Sequence, residues 1–169
     1  VRGGLLGACL PGVALTVGDA QAAFLPAPTS LLADAIDTTV SLPVLLLVFA
    51  ALPALCEELL FRGTIQGLWS RVGRPWEAAI AGAAMFAALH ASVFRFLPTA
   101  AMGLLLGTLA VRTHGIVPGI LAHATSNALA ILAMSLGWAV EPGPWAWAAC
   151  AVAAWLAWAP AAGARAAAR

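Results

Sequence analysis

Apolar residues run through this chain in long stretches that charged residues rarely interrupt. A membrane crossing needs about 20 mostly apolar residues, and five gaps between charged residues accommodate one. These gaps span 38–56, 78–94, 96–111, 113–140 and 142–164. A sixth apolar stretch, 3–18, precedes Asp19-Ala20-Gln21-Ala22 and is either a retained helix, which we favour, or a signal peptide. The pattern predicts an all-α polytopic transmembrane bundle of about six helices, forming a single integral membrane domain over residues 1–169.

Proline and glycine place the helix boundaries. The second helix is predicted to run from about Pro43 to Ser70, with a kink near Pro53 because proline removes a backbone hydrogen bond. The third is predicted to start near Pro75, the fourth to follow a turn at 92–98, the fifth to begin at 115–118 and the sixth to span 144–161. Residues 19–39 are predicted to form an external loop. In the fourth helix, Gly103-x-x-x-Gly107 is a spacing that lets helix backbones approach closely.

Composition and charge support a membrane protein and predict its orientation. The chain is 63% hydrophobic and only 9% charged, whereas soluble domains are roughly 25% charged. If the N-terminus is cytoplasmic and each segment crosses once, Arg95 falls outside and the other seven arginines fall inside, namely Arg2, Arg62, Arg71, Arg74, Arg112, Arg165 and Arg169. Both termini are therefore predicted to be cytoplasmic. A chain rich in alanine and arginine but without lysine is typical of a GC-rich bacterial genome, which favours the bacterial cytoplasmic membrane.

A few strongly polar residues lie inside these apolar segments, where a charge costs about 2.5–3.5 kcal/mol on insertion scales. They are Glu57, Glu58, Arg62, His90, His123 and Asn127. Glu58 and Arg62 are four residues apart, the spacing and order of an ion pair on one helix face. Glu57 is rotated by about 100° from Glu58 and has no counter-charge on its own helix. One carboxylate is thus predicted to be structural and its neighbour to be free for chemistry.

The remaining polar groups repeat the four-residue spacing, with His90 following Phe86 and Asn127 following His123. At about 1.5 Å per residue from the inner boundary, Glu57, His90 and His123 lie at depths of roughly 21, 20 and 16 Å. We therefore expect three helices to bring these groups together. A functional site explains such a set better than scattered packing residues do.

The chemistry predicted for this set is hydrolysis. Glu57 is a candidate general base for water, while His123 and Asn127 are candidate donors to the oxyanion that forms when an amide is attacked. An alternative is a zinc site made by His90, His123 and Glu57 or Glu58, with an open position for water. The sequence contains neither G-x-S-x-G nor H-E-x-x-H, which are the signatures of other hydrolases.

Three motifs occur in order: Glu57-Glu58-x-x-x-Arg62, Phe86-x-x-x-His90 and His123-x-x-x-Asn127. Together they resemble the CPBP intramembrane proteases, which include type II CaaX prenyl endopeptidases and bacterial relatives linked to bacteriocin processing and self-immunity. The resemblance covers about residues 40–135. It implies a polar active-site cavity open to the cytoplasm, in which Glu57 and His90 activate water and His123 and Asn127 stabilise the oxyanion. It also implies that Glu58, Arg62 and Phe86 support the site. The family has been described both as metal-dependent and as glutamate proteases; we favour the latter, with no cofactor and zinc as the alternative.

The predicted function is therefore intramembrane cleavage of a membrane-associated peptide or protein, with the lipid bilayer as environment and no nucleic-acid partner. One alternative is a non-catalytic membrane immunity or scaffold protein of the same family. A second is a small proton-coupled transporter, because intramembrane Glu and His also build proton relays. The absence of an internal sequence repeat argues against a transporter.

Overall fold

A computed structural model describes residues 2–25, 40–138 and 143–158. Within these ranges the chain forms six helices and no strand. They are α1 (Arg2–Ala22), α2 (Leu42–Val72), α3 (Pro75–Leu89), α4 (Phe96–Thr113), α5 (Val117–Ser135) and α6 (Pro144–Trp158). The predicted all-α bundle is confirmed. Most of the predicted external loop, and the last residues of the predicted sixth helix, lie outside the described residues.

In the part of the chain that the structure describes, four helices are long and apolar enough to cross a membrane: α1, α2, α4 and α5. In α3 and α6 the described helix has 15 residues, which corresponds to about 22 Å against a hydrocarbon thickness of about 30 Å. The crossing predicted over 78–94 is therefore too long, because α3 ends at Leu89 and the chain turns at Ala91, whose φ is 48°. The chain is a membrane protein in which α3 is shorter than a full crossing.

Contacts at the helix ends show that successive helices run antiparallel. At one end, the start of α1 lies against Pro118 at the start of α5, and Arg112 near the end of α4 donates a hydrogen bond to the carbonyl of Trp158, which ends α6. Trp76 at the start of α3 stacks on Trp158, which places the α2–α3 junction with Arg71 and Arg74 at the same end. We call this the arginine end.

At the opposite end, the last turn of α1 is hydrogen-bonded to the connection between α3 and α4. The Gln21 side chain donates to the carbonyl oxygens of Val93 and Phe94 and accepts from the backbone N–H of Leu97. Arg95 lies in this same connection between α3 and α4. Arg95 therefore lies at the end of the bundle opposite to Arg71, Arg74 and Arg112, as the sequence predicts.

The first helix packs as an integral part of the bundle. Leu6 and Leu10 are fully buried, in one core cluster with residues of α4, α5 and α6. Gly7 faces α5 so closely that a Cβ atom there would lie 2.4 Å from the carbonyl oxygen of Ala122. The α1 helix thus contributes to the core, and the retained-helix interpretation of residues 3–18 stays a prediction.

Helix α2 is continuous but irregular. It contains π-helical turns at Leu47–Ala51 and Leu59–Gln66. The first turn directly precedes the segment that contains Pro53, so the missing proline N–H is accommodated by a widened turn. The second follows Glu57 and Glu58, in agreement with the frequent occurrence of π-turns at functional sites.

We predict that Gly7→Ala destabilises the bundle by about 1–3 kcal/mol, because the added methyl group overpacks the α1–α5 contact. Gly4→Ala is the matched control, since a Cβ at Gly4 meets nothing within 4 Å. Thermal unfolding in detergent measures both. Equal melting temperatures for the two variants would contradict the close α1–α5 contact.

Candidate active site

The ion pair between Glu58 and Arg62 is buried in the bundle. Arg62 Nη1 donates to Glu58 Oε1 over 2.9 Å, and the two side chains are 2% and 0% exposed, respectively. Arg62 Nη2 donates to the carbonyl oxygen of Gly103 in α4 over 2.8 Å. The pair that the four-residue spacing predicts is thus present, and it also fastens α2 to α4.

His123 of α5 lies between the two adjacent carboxylates of α2. Its Nδ1 is 3.2 Å from Glu58 Oε1, and its Nε2 is 3.7 Å from Glu57 Oε2. Because an ionised carboxylate can only accept hydrogen bonds, the contact with Glu58 requires the hydrogen of His123 to be on Nδ1. Glu58 therefore orients the ring so that Nε2 faces Glu57.

The two glutamates differ in access. The Glu57 side chain is 26% exposed, whereas that of Glu58 is fully buried. Their different directions follow from the rotation of about 100° between adjacent helical residues. Glu57 is therefore the carboxylate of this pair that a water molecule or a substrate can reach.

Phe86 of α3 forms the aromatic centre of the site. Its ring centroid is 5.0 Å from that of His90 and 5.7 Å from that of His123, and the guanidinium carbon of Arg62 lies 4.7 Å from it. Aromatic rings and cations attract one another at these distances. The ring thus brings His90 and His123 to a common neighbour.

His90 caps the end of α3. Its Nδ1 is 2.8 Å from the carbonyl oxygen of Phe86. A carbonyl oxygen accepts, so Nδ1 carries the hydrogen and Nε2 is left as an acceptor. The half-buried ring is therefore held in one tautomer.

Asn127 lies one turn beyond His123 on the same helix, as its four-residue spacing predicts. Its side chain is half-buried and makes no hydrogen bond to the described residues. No hydrogen bond within the described part of the chain fixes the direction of this carboxamide.

Two further residues, which were not predicted from the sequence, shape this site. Gly119 leaves room for Glu58, because a Cβ atom there would lie 2.8 Å from Glu58 Oε2. Gln66 is buried and donates from Nε2 to the carbonyl oxygen of Gly107 over 3.0 Å. Gln66 follows Arg62 by four residues, as Arg62 follows Glu58, and this repeated spacing could have identified it. No sequence pattern indicates that Gly119 lies against Glu58.

The glycine pair of α4 works together with Arg62 and Gln66. A Cβ atom at Gly103 would lie 3.1 Å from Ala83 Cα, and one at Gly107 would lie 3.3 Å from Ala79 Cβ. The prediction that these glycines allow close helix packing is confirmed, with α3 as the partner. The same glycines offer their carbonyl oxygens to the two α2 side chains.

The zinc alternative needs three side chains arranged to hold the metal ion. Among residues 2–25, 40–138 and 143–158 no group of three histidine, cysteine, aspartate or glutamate side chains is arranged in this way. His123 Nδ1 is engaged by Glu58, and Nε2 lies 3.7 Å from Glu57 Oε2, which is too long for a hydrogen bond. We therefore derive no catalytic step through zinc bound by His90, His123 and Glu57.

A cavity of about 320 Å³ lies below Arg62, toward the arginine end. Its α2 wall consists of Arg62, Gly63, Gln66, Gly67 and Ser70, and the rest comes from the start of α3 and from 110–116. The predicted catalytic residues Glu57, His90, His123 and Asn127 are absent from its lining. This cavity adjoins the predicted catalytic groups through Arg62. The polar active-site cavity around Glu57 that the family resemblance implies stays a prediction.

A family model described as "Type II CAAX prenyl endopeptidase Rce1-like" matches residues 39–129. This span includes all three polar motifs and more than half of the chain. The chain belongs to this family. The Rce1-like family is one of membrane proteases, and the resemblance inferred from the motifs is confirmed. No curated protein and no solved structure matches the chain.

We predict that Arg62→Ala lowers the free energy of unfolding by about 3–5 kcal/mol, because it leaves the buried Glu58 carboxylate without its cation. Arg74→Ala is the matched control. Arg74 forms an exposed pair with Glu77 at 3.9 Å, and such pairs contribute only about 0–1 kcal/mol. Unfolding by denaturant in mixed micelles measures the difference. Similar losses in both variants would show that the Glu58–Arg62 pair is not buried as described.

Proposed function

We propose that this Rce1-like protein is an intramembrane endopeptidase that hydrolyses a peptide bond of a membrane-associated peptide or protein. The observation that supports it best is the paired arrangement of the two glutamates around His123. Glu58 is inaccessible and holds Nδ1, while Glu57 is accessible and faces Nε2. In many hydrolytic sites a reactive group lies beside an imidazole, and a third group orients that imidazole.

In the proposed reaction, Glu57 accepts a proton from a water molecule, and the resulting hydroxide attacks the substrate carbonyl carbon. His90, with Nε2 free to accept, helps to orient this water. The oxyanion receives hydrogen bonds from the Asn127 carboxamide and from His123 Nε2–H. Because Nδ1 carries a hydrogen for Glu58, this last donation requires a second ring hydrogen, for which Glu57 is the adjacent proton source. Once Glu57 has passed its proton to His123, it is a carboxylate again. When the C–N bond breaks, His123 gives this proton to the leaving nitrogen and returns to the neutral imidazole with its hydrogen on Nδ1.

We propose that this reaction is independent of metal, since the carboxylate and imidazole groups account for each proton transfer. The substrate belongs to the membrane-associated peptides and proteins; the bacterial character of the composition argues against a prenylated one. The arginine end is proposed to face the cytoplasm of a bacterium, because positively charged residues concentrate on that side of a membrane. Both termini are then cytoplasmic.

Glu57→Gln is expected to reduce the cleavage rate by about 10²–10⁴-fold, the contribution typical of a general base. The melting temperature should change little, because Glu57 makes no hydrogen bond among the described residues. The measurement is cleavage of hydrophobic peptides in proteoliposomes, followed by mass spectrometry. Glu77→Gln is the matched control, since Glu77 is an exposed carboxylate at the start of α3.

A Glu57→Gln protein that cleaves as fast as the parent would rule out Glu57 as the base. A parent that binds the peptides but never cleaves them would favour the non-catalytic immunity or scaffold alternative. Proton flux without hydrolysis in the same vesicles would instead favour the transporter.

Metal independence predicts that the purified protein contains much less than one zinc ion per chain and that its activity survives chelation. Elemental analysis of the parent and of His123→Ala tests this. One zinc per chain in the parent, lost in the variant together with activity, would show that the reaction is metal-dependent.

A further inference from the structure

The cavity below Arg62 presents a mostly apolar surface although several polar side chains line it. Several of the hydrogen-bonding groups are engaged within the protein, whereas Gln66 Oε1 is without a partner among the described residues and His114 at the rim is exposed. Arg62 donates to Glu58 and Gly103, Gln66 donates to Gly107, and the Ser70 hydroxyl donates to the carbonyl of Gln66. What remains open to a ligand is chiefly aliphatic surface, including that of Val111 and Ile116. Such a cavity favours an apolar group.

The space in this cavity exists because two residues of α2 have no side chain. A Cβ atom at Gly63 would meet its nearest neighbours at 3.8 and 3.9 Å, and one at Gly67 would meet the Arg62 carbonyl oxygen at 3.5 Å. These are ordinary van der Waals distances, in contrast to the clashes at Gly7 and Gly119. Packing therefore does not require glycine at either position, and a side chain there would occupy the cavity.

The cavity lies along α2 from the proposed base, toward the arginine end. Gly63 and Gly67 follow Glu57 by six and ten residues, which is roughly 9 and 15 Å at the α-helical rise and somewhat less here because Leu59–Gln66 is π-helical. An extended peptide advances about 3.3 Å per residue. A substrate cut beside Glu57 would therefore place its third to fifth residues from the cut bond next to Gly63 and Gly67.

We propose that this cavity is a specificity subsite, in which Gly63 and Gly67 set the size of the apolar substrate side chains that it accepts. The inference rests on the proposed endopeptidase function. An apolar side chain of the substrate lies against Val111 and Ile116, three to five residues from the cut bond on its arginine-end side. Arg62 lies between this subsite and the catalytic groups. The substrate side chain is therefore bound on one side of Arg62, and the peptide bond is cleaved on the other.

The test uses Gly63→Ala and Gly67→Ala in proteoliposomes, with Gly4→Ala as the matched control far from the cavity. A peptide that the parent cleaves, with its cut position mapped by mass spectrometry, is varied to Ala, Leu or Phe at the third to fifth positions on the arginine-end side. Methyl-sized differences in an apolar pocket are worth about 10–200-fold in kcat/KM. We expect each cavity variant to lower kcat/KM for the Phe peptide at least 10-fold relative to the Ala peptide, while Gly4→Ala keeps the parent's preference.

Thermal unfolding of each variant accompanies the kinetics, and the cavity variants are expected to melt no lower than Gly4→Ala. If the parent cleaves and both cavity variants show its size preference unchanged, the subsite is disproved while the protease stands; the cavity then holds lipid or water. If the parent cleaves none of the peptides, the proposed function fails and this inference fails with it.

Discussion

The buried carboxylate of Glu58 is the group on which the rest of the structure depends. A single oxygen, Oε1, accepts from Arg62 and from His123, while Arg62 reaches the carbonyl oxygen of Gly103 with its second nitrogen. Through these contacts one ion pair joins α2 to α4 and α5. An ion in so apolar a bundle is tolerable only when its partners are in place, and Gly119 supplies the space that the carboxylate needs. Helix packing and site geometry are therefore set by the same interaction.

The burial of Glu58 with its two partners also separates the roles of the adjacent residues Glu57 and Glu58. Since Glu58 is committed to Arg62 and His123, the rotation between consecutive helical residues turns Glu57 toward the accessible side of α2. The imidazole between them is held on one side and faces a free carboxylate on the other. All of these groups are on helices, which position side chains more precisely than loops do. A fixed imidazole beside an accessible base is the arrangement that the proposed hydrolysis needs.

Local periodicity made much of this arrangement predictable. The Glu58–Arg62 pair and the Phe86–His90 contact follow from four-residue spacing alone, and the apolar gaps predict the number and direction of the helices. The contact between Glu58 and His123 does not follow, because it depends on which faces α2 and α5 turn to each other. The end of α3 at Leu89 is likewise set by the turn at Ala91 rather than by its apolar pattern. The cavity could not be placed from sequence, since it arises where glycines of α2 meet the α4–α5 turn.

The most direct test of this account is a double-mutant cycle between Glu58 and His123, measured as free energies of unfolding for Glu58→Gln, His123→Ala and the double variant. Residues in contact are typically coupled by about 0.5–3 kcal/mol, and the account predicts a coupling in that range. The pair Glu77 and His123 serves as the reference, because the exposed Glu77 is paired with Arg74. Additive effects for Glu58 and His123, within about 0.3–0.5 kcal/mol, would contradict the claim that this carboxylate holds the bundle and the site together.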